Sequence, residues 1–293
     1  MGPERHSQFH SNINSLDHEY LDRDHDAGAA LRKIKTAGSI SISPELFEKL
    51  YLSPETQVKG LINYLKSDLR KTFGNPTPLG LAGFCMSLTP LAFDLLGLRG
   101  AGGDGAASIG LYYSFGAFLS FVSGLLEFFL GNTFSAIVFL TYGCFWFSFA
   151  STLVPAFGAY AFYSPDPAIP TEGLTTRPFE NSVGMWVICM MVLSVIYMVA
   201  SVRTNIFLFT IFLTLTLTYG LVAGVYWELA AGNHAHAAIL QTAAGSFAFI
   251  SSLCGWYLFI VQTLASVDFP LNLPVGDLSG LIRGASEKTR SRV

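Results

Sequence analysis

Between residues 79 and 264 the chain alternates long apolar stretches with short polar breaks. Each stretch holds about 20 or more residues, which is the length that a helix needs to cross a bilayer. The pattern therefore predicts an all-α membrane protein built as a six-transmembrane-helix bundle. The six predicted spans are Leu79–Leu98, Ala106–Leu130, Phe134–Phe157, Val183–Val202, Ile206–Trp227 and Ala237–Leu264.

The breaks between the spans are mostly short, which predicts that consecutive helices are antiparallel neighbours. The exception covers residues 158–181 and is rich in proline, so we expect an ordered or semi-rigid loop without a helix of its own. No internal repeat is visible in the sequence, which therefore does not predict a transporter built from inverted repeats. Small residues within the spans favour a compact bundle and leave an oligomer open.

The pattern changes before the first span. Residues 1–42 are rich in His, Asp, Ser and Asn without an apolar period, which predicts a disordered cytosolic tail. Residues 43–72 contain two Ser-Pro-Glu helix starts, and the second is followed by apolar residues at spacings of three and four with interleaved lysine and arginine. This predicts cytosolic amphipathic helices, the second lying on the inner membrane surface or packing on a soluble partner or neighbouring subunit. The transport domain then covers residues 73–265, and residues 266–293 form a cytosolic C-terminal tail.

Composition agrees with the membrane assignment, and charge adds the orientation. The 293 residues are 51% hydrophobic and 13% charged, whereas a soluble chain carries about a quarter charged residues. Lysine and arginine near the span ends lie mostly before the first span, between the fourth and fifth, and after the sixth, while the opposite side has only Arg99 and Arg177. This bias predicts that both termini are cytosolic.

Signatures of other function classes are missing from the sequence. No P-loop, GxSxG or HExxH occurs, so we expect no enzyme, and nothing indicates a cofactor or a nucleic-acid partner. The four cysteines lie singly in different apolar stretches, which predicts packing residues and neither a disulfide nor a zinc site. His234 and His236 could ligate a metal as a pair, but without a third ligand nearby we interpret them as solvated.

Two polar phrases open the first and third spans on the same predicted side, the cytosolic one. Asn75, Pro76 and Thr77 form a helix start, because Asn caps and Pro gives up an amide that would have no partner there. Asn132 and Thr133 open the third span in the same way. The free amides and positive ends of the two helix dipoles would then suit an anion, although ordinary capping explains each phrase alone.

Ionisable side chains are scarce inside the predicted spans. Glu127 lies near the inner end of the second span and Asp94 near the outer end of the first. A carboxylate inside a membrane is a candidate for function. For Glu127 we leave function and helix capping open as alternatives, and for Asp94 we favour a carboxylate that reaches water.

Four ordered motifs in these spans resemble those of one family. They are Asn75-Pro-Thr-Pro-Leu-Gly-Leu81, Gly124-Leu-Leu-Glu127, Gly131-Asn-Thr-Phe134 and Thr141-Tyr-Gly-Cys-Phe-Trp146. Together they look like the acetate uptake transporter family, which includes fungal acetate permeases and bacterial succinate–acetate permeases, and the long polar tail resembles the fungal members. The resemblance implies a plasma-membrane hexamer of six-helix protomers, each with its own pore for acetate and related short monocarboxylates, proton-coupled in fungal members.

The resemblance also implies where the pore narrows. Phe84 and Tyr142 match two of the three residues that form the family's constriction, and Leu215 matches the third when the preceding basic residue is set on Arg203. At 1.5 Å per residue the three side chains lie about 12, 14 and 15 Å from their helix starts. Three helices that run in one direction would therefore bring them to one level, where a dry ring hinders a hydrated carboxylate and eases a small, partly apolar solute.

The chain departs from the family's pattern in the second span. Phe115-Gly116-Ala117 and Ser120 stand where many members carry Tyr-Gly-Gly and Gln. The departure leaves two alternatives to acetate transport open. One is a non-transporting membrane sensor of acetate, and the other is a pore for ammonia or another small neutral solute.

Overall fold

The computed structural model describes residues 73–271 and 273–278, except the side chain of Asp104. The predicted tail and amphipathic helices in residues 1–72 and the end of the predicted C-terminal tail, residues 279–293, lie outside the described residues. Within the described part six helices are long and apolar enough to cross a membrane, which confirms the predicted all-α membrane fold. They are α1 (Thr77–Leu95), α2 (Gly105–Phe129), α3 (Thr133–Leu153), α4 (Arg177–Ser201), α5 (Ile206–Ala230) and α6 (His234–Ser266).

Consecutive helices run in opposite directions and pack as neighbours. Helix α5 packs on α4 and α6, α6 also packs on α1, and α2 packs on both α1 and α3. The starts of α1, α3 and α5 therefore share one end of the bundle with the end of α6, and we call this the inner end after the predicted orientation. The opposite end, where α4 and α6 begin, is the outer end. The buried core between the helices includes a cluster of aromatic side chains, with Tyr142, Tyr197 and Phe212 in mutual ring contact.

The long connection between α3 and α4 differs from the prediction. Two short 3₁₀ helices, Ala161–Tyr163 and Pro170–Thr175, lie within it, so the expectation of a loop without a helix is wrong. Helix α4 also begins at Arg177 and not at Val183. Proline in the first turn suits a helix start because its missing amide needs no partner there, and Pro178 stands at that position.

Helix α2 is irregular. It contains a π-helix, Tyr112–Leu119, between the α-helical pieces Ile109–Leu111 and Ser120–Phe129. Glycines mark its close contacts with the neighbouring helices. A Cβ atom on Gly83 of α1 would lie 2.6 Å from the carbonyl oxygen of Phe115, and one on Gly116 would lie 2.6 Å from the Trp146 ring of α3. The π-helical stretch is therefore fixed by backbone approach on both sides.

One helix–helix corner occurs twice, at opposite ends of the bundle. The inner corner, residues 127–133, joins α2 to α3, and the outer corner, residues 228–234, joins α5 to α6. In both, the Asn backbone amide donates to the Glu carbonyl oxygen at 2.8 Å, and the intervening Gly has a positive φ, of 70° in the inner corner and 82° in the outer. Positive φ favours glycine because it has no Cβ.

The two corners also resemble each other in sequence. Glu, Gly, Asn, Ala and Thr stand at positions 127, 131, 132, 136 and 141, and again at positions 228, 232, 233, 237 and 242. The expectation that the chain has no internal repeat is wrong for these segments. The matching positions are separated by apolar residues that differ between the two segments. Many apolar side chains are acceptable where a helix faces lipid or packs, whereas few residue types fit the corner.

The segment after α6 returns to the inner end of the bundle. The amide of Ile206 donates to the carbonyl oxygen of Gly276 at 2.9 Å, and the amide of Leu278 donates to that of Thr204 at 3.0 Å. These bonds pair the segment with the residues that open α5. The described part of the predicted C-terminal tail is thus attached to the helical bundle.

Candidate functional site

A cavity of about 330 Å³ lies between α1, α3, α5 and α6 at the inner half of the bundle. We call it the inner cavity. Phe84, Tyr142 and Leu215, the three residues expected to form the constriction, all lie in its wall, and so does Thr77. The structure therefore brings together side chains from α1, α3 and α5 that are far apart in the sequence.

Packing and hydrogen bonding fix these three side chains. The Phe84 ring packs against α6 at Gly255, where a Cβ atom would approach the ring to 2.7 Å. The hydroxyl of Tyr142 shares a 2.7 Å hydrogen bond with Ser194 of α4, so its polar atom is already satisfied by the protein. Leu215 is only 2% exposed. The wall that they form is well packed and presents little hydrogen-bonding capacity.

Two further cavities continue the inner cavity toward the outer end. A middle cavity of about 100 Å³ shares Trp146 and Leu215 with the inner cavity. An outer vestibule of about 750 Å³ shares Phe149, Val183 and Trp186 with the middle cavity. Because neighbouring cavities share wall residues, the three adjoin one another in a line through the bundle, with Trp146 and Leu215 between the inner and middle cavities.

Sequence reasoning missed Trp146 as a wall residue of this line. It is 2% exposed and stacks on Tyr112 of α2, with ring centroids 5.0 Å apart. A signal was present in the sequence, because Trp146 follows Tyr142 by four residues and therefore lies on the same face of α3. The spacing would have extended the predicted ring by one helical turn.

The start of α1 differs from the expected anion site. The amide of Thr77 donates to Oδ1 of Asn75 at 3.1 Å, and the amide of Leu79 donates to the carbonyl oxygen of Pro76 at 3.0 Å. Pro78 has no amide hydrogen. The first-turn amides that would have bound an anion are therefore used within the protein or absent.

The carboxylate at the start of α1 comes from the protein itself, from Glu127. Its carboxylate is fully buried, and it accepts hydrogen bonds from the Thr77 hydroxyl at the start of α1 and from the Asn132 side-chain amide before α3. The side chain of Asn132 makes no cap hydrogen bond to α3, and Thr133 opens that helix as an exposed residue. The two helix starts do meet, but at a carboxylate of the protein itself. Glu127 therefore joins α1, α2 and α3.

Polar side chains mark the inner end of the inner cavity. Thr77, Thr204, Asn205 and Gln262 line it there, and the Asn75 side-chain amide donates to Oε1 of Gln262 at 3.3 Å. This bond links the start of α1 to the end of α6. The inner cavity thus has a polar mouth and an apolar far wall.

The remaining sequence candidates lie elsewhere in the bundle. Ser120, one of the departures from the family pattern, lies in the wall of the inner cavity. His234 lines the outer vestibule. His236 is 58% exposed, and its Nδ1 lies 3.1 Å from Oε1 of Glu228. The two histidines therefore have separate surroundings, and within the described ranges no three potential metal ligands cluster.

A bundle of six membrane-length helices around a line of cavities is the architecture of a membrane transport protein. The chain belongs to the GPR1/FUN34/yaaH family, whose model matches residues 61–280. The resemblance to the acetate uptake transporter family is thereby confirmed.

Individual relatives cover most of the chain. Protein alcS of Aspergillus fumigatus is 43% identical over 256 residues, which are 87% of this chain and 91% of alcS. Acetate transporter protein patA of Penicillium expansum is 28% identical over 261 residues, covering 88% of this chain and 99% of patA. Among solved structures, the bacterial acetate channel SatP matches with a TM-score of 0.54 and 26% identity, covering 70% of this chain and 99% of SatP.

Proposed function

We propose that the protein carries acetate or a similar short monocarboxylate across the plasma membrane through a passage inside each protomer. The observation that carries the proposal is the line of three cavities, which runs from Thr77 at the inner end to Arg177 at the outer end. The names of patA and SatP support acetate as the substrate.

The walls of the passage support transport of the neutral acid. The middle cavity is lined mainly by apolar side chains, among them Phe145, Phe149 and Trp186. An ionised carboxylate that leaves water for such surroundings loses its hydration without replacement, whereas the protonated acid loses far less. A passage of this kind favours a carboxylate that moves together with a proton.

The proposal includes the assembly and orientation of the protein. The inner end faces the cytosol, as the distribution of lysine and arginine indicates, and the protomers form a hexamer. Residues 1–42 are then a cytosolic tail, residues 43–72 lie at the membrane surface, and residues 266–293 end the chain in the cytosol.

Flux measurements on the full chain in proteoliposomes test the transport class. Labelled acetate, ammonia and water are offered side by side, and we expect acetate to cross faster than in liposomes without protein. Binding of acetate without flux would replace the transporter with the sensor, and flux of ammonia or water alone would replace it with a neutral pore.

The narrow part of the passage gives a sharper test. Leu215→Ala should raise the flux of butyrate relative to acetate, because it removes three carbon atoms from the wall between the inner and middle cavities. Leu213→Ala is the matched control, since Leu213 lies on the same helix but is 38% exposed on the bundle surface. An unchanged substrate range in Leu215→Ala would refute the constriction.

A further inference from the structure

The outer vestibule differs from the other two cavities in its charged wall. Arg177 and Glu180 at the start of α4 and His234 at the start of α6 all line it. Phe149, Val183 and Trp186 form its border with the middle cavity. A solute that leaves the vestibule inward therefore exchanges charged surroundings for mainly apolar ones.

Arg177 supplies a fixed positive charge in the passage. The described part of the chain contains three arginines, Arg99, Arg177 and Arg203, and its lysines all lie outside the described ranges. Of these arginines, Arg177 alone lines one of the three cavities. Its side chain is exposed and forms no ion pair with another described residue. A guanidinium group offers a planar fork of donors that matches a carboxylate.

Glu180 lies one helical turn further along α4 and is only 6% exposed. Its carboxyl group accepts no hydrogen bond from the described residues, and His234, which lines the same vestibule, interacts with it electrostatically. The residue is mostly buried and its carboxyl group opens onto the vestibule, where partial loss of hydration makes the charged form costlier than in bulk water. A proton on Glu180 removes that cost and leaves a carboxyl group that can donate to a bound anion.

The groups around Glu180 are few. Arg177 of the same helix, Tyr226 of α5 and His234 of α6 line the vestibule together with it. Helix α3 and the 3₁₀ helix Pro170–Thr175 bring only uncharged side chains to the vestibule wall. The proton on Glu180 therefore has His234 as its titratable neighbour across the vestibule and water in the vestibule as its supply.

We infer that the outer vestibule is a binding site for a small monocarboxylate and one proton, in which Arg177 holds the carboxylate and Glu180 holds the proton. This inference deepens the proposed function and rests on it. The carboxylate is then bound and protonated at the outer end, before the solute enters the apolar middle cavity.

The proton transfer balances in atoms and charge. The O–H bond of the Glu180 carboxyl group breaks, and a new O–H bond forms on an oxygen of the bound carboxylate. The substrate leaves Arg177 as a neutral acid, and Glu180 remains as a carboxylate in the vestibule that Arg177 and His234 also line. A proton from water outside, passed directly or through His234, restores Glu180 to its acid form.

Equilibrium binding of labelled acetate to the full chain in lipid nanodiscs tests the role of Arg177. Arg177→Gln should weaken acetate binding at least tenfold, and Arg177→Lys should lose less because it retains the charge. Arg99→Gln is the matched control, since Arg99 is an exposed arginine after α1 that lines none of the three cavities. Wild-type affinity in Arg177→Gln, displacement of acetate by equimolar chloride, or absence of binding to the wild type would overturn the inference.

The pH profile of the same binding tests the role of Glu180. The wild type should bind acetate more tightly at pH 5 than at pH 7, and Glu180→Gln should remove at least three-quarters of that difference. Glu172→Gln is the control, because Glu172 lies in the exposed 3₁₀ helix before α4 and outside the vestibule wall. A wild-type pH profile in Glu180→Gln would overturn the proton site. Acetate that binds in this way without crossing the membrane would instead refute the proposed transport.

Discussion

The inner corner and the outer corner share one backbone but differ in the surroundings of their carboxylates. In both, the Asn side-chain amide donates to Oε2 of the Glu, at 2.5 Å in the inner corner and 2.7 Å in the outer. Glu127 is fully buried and is also bound by Thr77 of α1. Glu228 is 26% exposed, and its second partner, His236, belongs to the same helix pair. The inner carboxylate therefore connects three helices and the outer one connects two.

The comparison separates two contributions. The local sequence determines the backbone of the corner, and contacts with another helix determine how strongly the Glu is held. The repeated Glu, Gly and Asn accompany the same corner backbone at both ends of the bundle. Burial changes the energy of the same hydrogen bond. Bonds to a buried charged group contribute about 1.5–3 kcal/mol each, whereas an exposed ion pair contributes about 1 kcal/mol or less.

The largest expected effect comes from removing each carboxylate in turn. Glu127→Ala removes the buried acceptor shared by the half-buried donors of Thr77 and Asn132 and should lower the free energy of unfolding by about 2–5 kcal/mol. Glu228→Ala should lower it by less than about 1 kcal/mol, because water replaces the lost acceptor. Reversible unfolding in mixed detergent–SDS micelles measures both. Equal losses would show that burial does not distinguish the corners.

A smaller effect is expected from removing the hydroxyl of Thr77, the hydrogen-bond donor from a third helix that only the inner corner has. Thr77→Val should lower the free energy of unfolding by about 1–3 kcal/mol, since it removes one donor to a buried carboxylate. Thr77→Ser should restore it, and Thr133→Val, at an exposed threonine, should leave it unchanged. In a Glu127→Ala background the Thr77→Val loss should disappear. A loss that persists there would mean that Thr77 acts through packing.

The smallest contrast is expected between the two corner glycines. Gly131→Ala and Gly232→Ala should each lower the free energy of unfolding by about 1–2 kcal/mol, because both positions have a positive φ. Nothing lies within 4 Å of a Cβ built on Gly232, so backbone strain alone acts there. The same unfolding assay gives the comparison. Losses that differ by more than about 1 kcal/mol would contradict a shared backbone.

Much of the fold could be predicted because membrane spans have a strong signal. The start of α5 at Ile206 was predicted correctly, and Asn205 caps it by accepting a hydrogen bond from the Leu208 amide. The start of α4 was missed, since its first two turns carry the polar residues Arg177, Glu180 and Asn181 and hydropathy marks a span only where apolar residues begin. That error hid the outer vestibule, because Arg177 and Glu180 were assigned to a loop.

The candidate site was predictable only where the position of a residue along its helix determines its place in the bundle. Phe84, Tyr142 and Leu215 meet in one wall because helix rise places them at one level. The hydrogen bond from Thr77 to Glu127 joins residues 50 positions apart, and it depends on how α1 packs against α2. No spacing rule reports such a contact, so the sequence left the role of Glu127 open.

The π-helix in α2 has a consequence for evolution in the family. A π-helix fits one more residue into a turn than an α-helix does, and each α-helical residue rotates the direction of the side chain by about 100°. A return to α-helix would thus absorb the loss of a single residue within Tyr112–Leu119, with Ser120 keeping its place in the wall of the inner cavity. An alignment of such a relative without a gap in this stretch would mismatch by one position the residues on the outer-end side of the π-helix.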